Sequence, residues 1–191
     1  MNYRHTWSKI MTKGSKTQYA ILGALSIQPM SGYEIKKMME ETTNHFWTES
    51  NGQLYPTLNK LEKNKLVTVD KQMVGAKLRK IYTISIMGKN FLKKWLLDDP
   101  EYYPARNEFM LKLFYGQNVP PNISINHIKK HGEKCQKALK IYIEIEKQLE
   151  EMVKQKKRPV YFLLTVKAGI NIVRAEIDWC KESIELITKY H

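Results

Sequence analysis

The stretch SNGQLYPTLNKLEKNKLVTVDKQMVGAKLRKIYTIS, Ser50–Ser85, decides the fold. Its first half reads as a short amphipathic helix, because Leu54, Leu58 and Leu61 recur at i, i+4, i+7 and share one face. The opposite face carries Gln53, Thr57, Asn59, Lys60 and Lys63, with no carboxylate before Glu62. Its second half reads as two β-type runs, Leu66–Lys71 and Lys80–Ser85, around a tip containing Gly75, Lys77 and Arg79. A small helix followed at once by a basic hairpin is the outline of a winged helix. In that arrangement the helix enters the major groove of DNA and the hairpin presses on the backbone. The same outline also fits a helix and hairpin that merely pack together.

Outward from this stretch the pattern becomes more specific. Upstream, Thr17–Ile27 is a strongly apolar helix that ends at Gln28 and Pro29. Ser31 opens a second helix, running to about Thr42; Ser31 and Glu34 have the spacing of a capping box. Asn44–Asn51 is the connection, with Phe46 and Trp47 expected to pack underneath. Asn51 or Gly52 is the expected cap of the third helix, and Pro56 is expected near its start, where a missing N–H costs least. Downstream, Ser85 caps a fourth helix, Ile86–Leu97, and Asp98–Pro104 is the boundary.

The remainder reads as helical. Arg106–Tyr115 is a short amphipathic helix stopped by Gly116. A long helix runs from about Ser124 to Gln155, and a turn at 156–159 leads into Val160–Tyr190. Leu163, Val166, Ile170, Val173, Ile177, Cys180, Ile184 and Ile187 form an unbroken seam of coiled-coil type on that last helix. Either the preceding helix or a second copy must cover it. The expectation adopted is a homodimer, since DNA readers of this class bind two half-sites. The division is therefore an N-terminal arm at 1–15, a winged-helix domain at 16–98 and a helical dimerisation domain at 105–191. The fold class is mainly α with a small β-hairpin.

The chain has 191 residues and a formal net charge of +13. Residues 1–98 hold 16 Lys and Arg against 7 Asp and Glu, a net +9, so most of the cationic excess accompanies the winged helix. No apolar run approaches the ~20 residues that span a bilayer. The N-terminus lacks an apolar signal core, and two unpaired cysteines suit a reducing cytoplasm.

Enzyme chemistry finds no footing, with no Gly-rich phosphate loop, nucleophile elbow or paired carboxylates. His127 and His131 are spaced i, i+4, but a solvated surface pair is expected, with neither metal nor cofactor. Cys135 and Cys180 lie on apolar seams as small buried hydrophobes. Phe91, Trp95, Phe109 and Trp179 are candidates to line an effector cavity; ordinary core is their default role.

These residues resemble the PadR-like transcriptional regulators. The likeness lies in YAILGAL (Tyr19–Leu25), SGYEI (Ser31–Ile35), LYPTLNKLE (Leu54–Glu62), RKIYTIS (Arg79–Ser85) and Gly88. RNEFMLKLFYG (Arg106–Gly116) and the two long helices are similar to the longer-tailed group, as in AphA-type virulence activators. The resemblance implies a dimeric DNA-binding regulator, more often a repressor than an activator, with some members responding to small aromatic molecules. It places DNA-facing positions at Asn51, Gln53, Tyr55, Pro56 and Lys60, and the wing at Lys77, Arg79 and Lys80. Asn64 stands where the family commonly has glycine after the recognition helix, and Ser85 where threonine is usual. The expected partners are double-stranded operator DNA, a second copy and a small aromatic effector. The alternative is a protein-interaction or small-molecule-binding module that does not use DNA.

Overall fold

The structure, a computed structural model, describes residues 16–43, 46–47, 51–74, 77–101, 107–155 and 159–190; for Asn51, Val74 and Lys77 it describes the backbone only. The expected arm at 1–15, most of the 44–51 connection, the hairpin tip at 75–76 and most of the turn after Gln155 lie outside these residues. The chain forms two compact units, divided between Tyr102 and Tyr103.

The first unit contains α1 (Thr17–Leu25), β1 (Met30–Ser31), α2 (Gly32–Thr42), α3 (Asn51–Lys63), β2 (Val67–Val74), β3 (Lys77–Ile84) and α4 (Ile86–Leu97). Its core joins Ile21 and Leu22 of α1, Ile35 of α2, Leu54, Leu58 and Leu61 of α3, and Phe91 and Leu92 of α4. Each such aliphatic side chain, fully buried, contributes ~1.5–3 kcal/mol. Trp47 packs against this core; Phe46, expected beneath it as well, is instead 58% exposed.

The α1 helix is shorter than expected. The Ser26 hydroxyl donates to the Gly23 carbonyl at 2.6 Å, and the chain leaves the helix in a tight last turn. The Ser31–Glu34 capping box forms: Ser31 Oγ accepts from the Glu34 N–H, and Glu34 Oε2 accepts from the Ser31 N–H at 2.8 Å. Ser85 caps α4 by accepting from the Gly88 N–H at 3.0 Å.

The sheet is antiparallel in the order β1-β3-β2. The short β1, unread in the sequence, pairs Met30 with Tyr82 and Ser31 with Ile81. The hairpin is longer than the sequence suggested, running in register from Val67 opposite Ile84 to Val74 opposite Lys77. Its base is buried through Val67, Tyr82 and Ile84, while Met73 and Leu78, a cross-strand pair further out, are exposed. Gly88 closes the unit. A Cβ there would run into the Leu66 carbonyl oxygen, so only glycine lets α4 approach the start of the hairpin.

The second unit contains α5 (Glu108–Phe114), a 3₁₀ turn (Gly116–Asn118), α6 (Pro121–Gln155) and α7 (Val160–Tyr190). The α5 helix starts later than expected, because Asn107 Oδ1 accepts from the Met110 N–H and caps it. The long α6 begins at Pro121 rather than near Ser124; proline suits the first helical position, where an N–H has no helical acceptor.

The α6 and α7 helices form an antiparallel hairpin. Glu146 and Glu150 near the end of α6 meet Lys167 near the start of α7, and Gly132 lies against Cys180. This packing covers much of the apolar seam within one chain. Leu163, Val166, Ile170, Val173 and Cys180 are buried, and Ile177, Ile184 and Ile187 half-buried, within the single chain. Along this seam α7 packs on α6, through Ile128, Gly132 and Cys135 among others. Glu146, which interrupts the α6 seam as a sequence, accepts from Lys167 Nζ at 2.7 Å and serves as a polar rung.

Candidate nucleic-acid interface

The α3 helix is amphipathic as its leucine spacing requires. Leu54, Leu58 and Leu61 face inward; Gln53, Tyr55, Pro56, Asn59, Lys60 and Lys63 are exposed and Thr57 is half-exposed. Pro56 lies in the second turn rather than at the first helical position. It removes the N–H that would bond the Gly52 carbonyl, a cost confined to the first turns of an exposed face.

Two of the expected base-reading groups are held from behind. Gln53 Oε1 accepts from the Thr17 hydroxyl of α1 at 3.3 Å. Tyr55 lies over the first residue of α2, where a Cβ on Gly32 would come within 2.7 Å of the ring; the glycine makes room for it. The tyrosine is 47% exposed, so its ring is braced on one side and open on the other.

Lys60 and Lys63 form no ion pair with a described residue. Glu62, the single carboxylate of α3, lies 4.0 Å from Lys80 of the wing. This contact ties α3 to β3 loosely, as expected of an exposed pair. The α3 helix ends in a Schellman motif: Leu66 N–H donates to the Leu61 carbonyl and Lys65 N–H to the Glu62 carbonyl, both at 2.9 Å. The left-handed residue is Lys65, at φ 59°, and not Asn64, where the family resemblance placed the special backbone.

The wing differs from the sequence expectation in two residues. Arg79 is no tip residue. It sits within β3 opposite Gln72, and its Nη2 lies 2.6 Å from Glu34 Oε1 and 3.3 Å from Ser31 Oγ. Its guanidinium therefore joins the wing to the start of α2, with its side chain still 39% exposed. The Ser31 backbone N–H, then Arg79, then the Ser31 hydroxyl hold the Glu34 carboxyl down at about 2.

The second difference is Lys71, which the sequence reading passed over. It stands directly opposite Lys80 in the ladder. Like charges facing each other across strands repel, and an anion between them relieves the repulsion. The register that pairs them, with Val74 opposite Lys77, follows once both strands are extended toward Gly75. The side chains of Asn51 and Lys77 lie outside the described residues.

The four aromatic candidates fall into two groups. Phe91 and Trp95 flank Tyr19, with stacked ring centroids at 5.3 and 4.5 Å, in the core of the first unit. Phe109 and Trp179 meet edge to face at 5.9 Å in the second unit. Among the described residues no helix is long and apolar enough to cross a membrane.

Helices α1–α3 with a small antiparallel sheet, α3 being presented beside a projecting hairpin, define a winged helix. Residues 21–94 match the Transcriptional regulator PadR-like family, and residues 105–188 match the Virulence activator alpha C-term domain. The first unit is thus similar to the PadR-like regulators, and the second to the C-terminal part of the virulence activators.

Among its relatives is the Negative transcriptional regulator PadR of Bacillus subtilis, 37% identical over 100 residues, 51% of this chain and 55% of that protein. The matched sequence thus spans about half the length of that relative. A solved structure of Bacillus subtilis PadR in complex with operator DNA superposes with a TM-score of 0.78 at 24% identity, over 89% of this chain and 98% of that one. A second, in complex with p-coumaric acid, gives 0.70 at 23%, over 91% and 99%. The Vibrio cholerae virulence activator AphA gives 0.72 at 24%, over 92% and 99%. At these identities the structural likeness establishes the fold.

Proposed function

We propose that this chain is a homodimeric transcription regulator, a repressor acting in the cytoplasm, whose α3 enters the major groove of operator DNA while the β2–β3 wing lies along the backbone. The observation that carries this reading is the exposed face of α3. It is polar and cationic, and its one carboxylate faces a lysine of the wing. Gln53, Tyr55, Thr57 and Asn59 are the candidates for base edges, with Asn51 and Pro56 beside them. Lys60, Lys63, Lys71, Lys77 and Lys80 are the candidates for phosphates. The relative bound to operator DNA and the relative described as a negative regulator support the reading.

The dimer face moves to a second stripe of α7. Leu164, Ala168, Ile172, Ala175 and Leu186 are exposed on the side away from the α6 seam, at helical spacing with half-buried Trp179. An apolar stripe of this length on a helix of 31 residues suits a second copy, and a two-fold partner supplies the second half-site reader. A small aromatic effector is supported by the p-coumaric acid complex of the relative. Its aromatic contacts would come from Phe109 and Trp179, since Phe91 and Trp95 are engaged with Tyr19 in the core.

A gel-shift titration with the protein's own upstream region at several salt concentrations tests the DNA reading. A dimer making ~6–10 phosphate contacts should lose ~10³–10⁵ in affinity between 50 and 200 mM salt. Lys71→Ala should reduce the log–log slope by about 1 per half-site and weaken all sequences alike. Absence of any shift at low salt would favour the protein-interaction alternative.

A further inference from the structure

The α6–α7 hairpin holds a cluster that DNA binding does not use. His131 and Cys135 stand one turn apart on α6, and Glu176 reaches them from α7. Cys135 Sγ lies 3.2 Å from Glu176 Oε2 and 3.6 Å from His131 Nε2; the third edge, His131 Nε2 to Glu176 Oε2, is 3.5 Å. A tetrahedral Zn²⁺ with bonds of ~2.3 Å to sulfur, ~2.0–2.1 Å to imidazole nitrogen and ~2.0–2.2 Å to carboxylate oxygen sets such donors about 3.4–3.6 Å apart. The three edges match that triangle to within ~0.4 Å, although the atoms come from two helices 41 residues apart in sequence.

We propose that His131, Cys135 and Glu176 form a binding site for a thiophilic divalent cation, with Zn²⁺ as the type. From the sequence no metal is expected on the His127–His131 pair; His131 and Cys135 are likewise spaced i, i+4, and Glu176 becomes a neighbour only through the hairpin.

Three further observations agree with the site. In the present geometry the thiol donates its hydrogen to Glu176 Oε2. A cation replaces that proton at the point on which the three donor atoms already converge. One thiolate, one carboxylate and one neutral imidazole balance a divalent charge, which a half-buried position requires. Phe109 stacks on the His131 ring at 4.5 Å and fixes its plane.

Cys135 is only 5% exposed, while His131 and Glu176 reach the surface and offer an entry path. The sulfur donor selects against Mg²⁺ and Ca²⁺, which take oxygen ligands. Three protein ligands leave the fourth position for water or a small ligand. The proposal stands independently of the DNA-binding reading.

The test is a Co²⁺ titration of the reduced, metal-free full chain, followed by displacement with Zn²⁺. The wild type should show a thiolate-to-cobalt charge-transfer band and the intense visible bands of four-coordinate Co²⁺, and one equivalent of Zn²⁺ should erase both. Cys135→Ser should lose the charge-transfer band. His131→Ala and the near-isosteric Glu176→Gln should weaken Zn²⁺ binding at least ~100-fold, beyond the ~10–100-fold typical of outer-shell partners. Cys180→Ser, outside the triangle, should keep the wild-type spectrum. Circular dichroism of each metal-free variant checks that the helices persist. A wild type without the charge-transfer band, or a Cys135→Ser variant that binds as tightly as wild type, would reduce the cluster to a hydrogen-bonded staple between two helices.

Discussion

In the first unit α2 and α3 each turn one apolar face into a shared core. In the second, α7 has two. The face through Leu163, Val166, Ile170 and Val173 is buried against α6, while the face through Leu164, Ile172 and Leu186 stays exposed. A 3–4 spacing of apolar residues says that a face must be covered, but not by which partner. In α3 the partner is forced, because a short helix beside a hairpin has only its own core to pack on. For a helix of 31 residues the partner can be a neighbour or another chain.

A pair of aspartates two residues apart on α7 separates its two faces. Ile170 is 2% exposed and Ile172 is 60% exposed. Ile170→Asp buries a carboxylate among aliphatic side chains, where desolvation costs several kcal/mol. It should unfold the hairpin, and circular dichroism should show the lost helix. Ile172→Asp should leave the helical signal unchanged and shift the mass by light scattering from dimer to monomer. The reverse outcome, Ile170→Asp folded and monomeric, would return the interface to the buried seam.

Most of the first unit was legible in the sequence for a definite reason. Its signals are local: the Leu54–Leu58–Leu61 spacing, the Ser31–Glu34 box and the Ser85 cap each act within a few residues. What escaped the sequence depends on tertiary pairing. The β1 strand is two residues long and exists only because Met30 and Ser31 meet β3. Arg79 reads as a free wing cation until that pairing brings it to Glu34. Lys71 gains meaning only from its place opposite Lys80. The His131–Cys135–Glu176 cluster likewise needs the hairpin.

The Arg79–Glu34–Ser31 lock gives the first unit a pH dependence that can be measured. The Glu34 carboxyl falls from an ordinary 4.5 to about 2 on folding. A depressed carboxylate stabilises the fold above its unfolded value and loses that contribution as pH falls from about 4.5 toward 2. Glu34 is 44% exposed, so solvent screening reduces the effect to about 1 kcal/mol. Glu34→Gln should therefore be less stable than wild type at pH 7 and equal to it near pH 2, measured by urea unfolding across that range. A constant gap at all pH values would mean that the glutamate acts by packing alone. Arg79→Ala should reproduce part of the pH-dependent gap.

The smallest effect concerns Lys65, where the first unit departs from what its backbone prefers. Lys65 holds the left-handed conformation at φ 59° that ends α3. For an L-residue this conformation costs ~1–2 kcal/mol, through the approach of Cβ to the carbonyl oxygen. The chain cannot relax it. The Lys65 carbonyl accepts from Ser85 Oγ at 2.7 Å, the Leu66 carbonyl accepts from the Ser85 N–H at 3.0 Å, and Gly88 packs against that same Leu66 carbonyl. Leu61 and Leu66, bonded to each other across the motif, are both buried. Lys65→Gly removes the steric cost, and glycine's freedom in the unfolded chain returns ~0.5–1 kcal/mol of it. The net gain should be about 0.5–1 kcal/mol, seen as a higher urea midpoint with an unchanged m-value. Lys65→Asn should fall between the two, and Lys65→Val should lose stability, because a β-branched side chain fits this region worst. Gly, Asn, Lys, Val is thus the expected order; if glycine gains nothing, the Schellman turn is not strained and the pinning by Ser85 and Gly88 carries no cost.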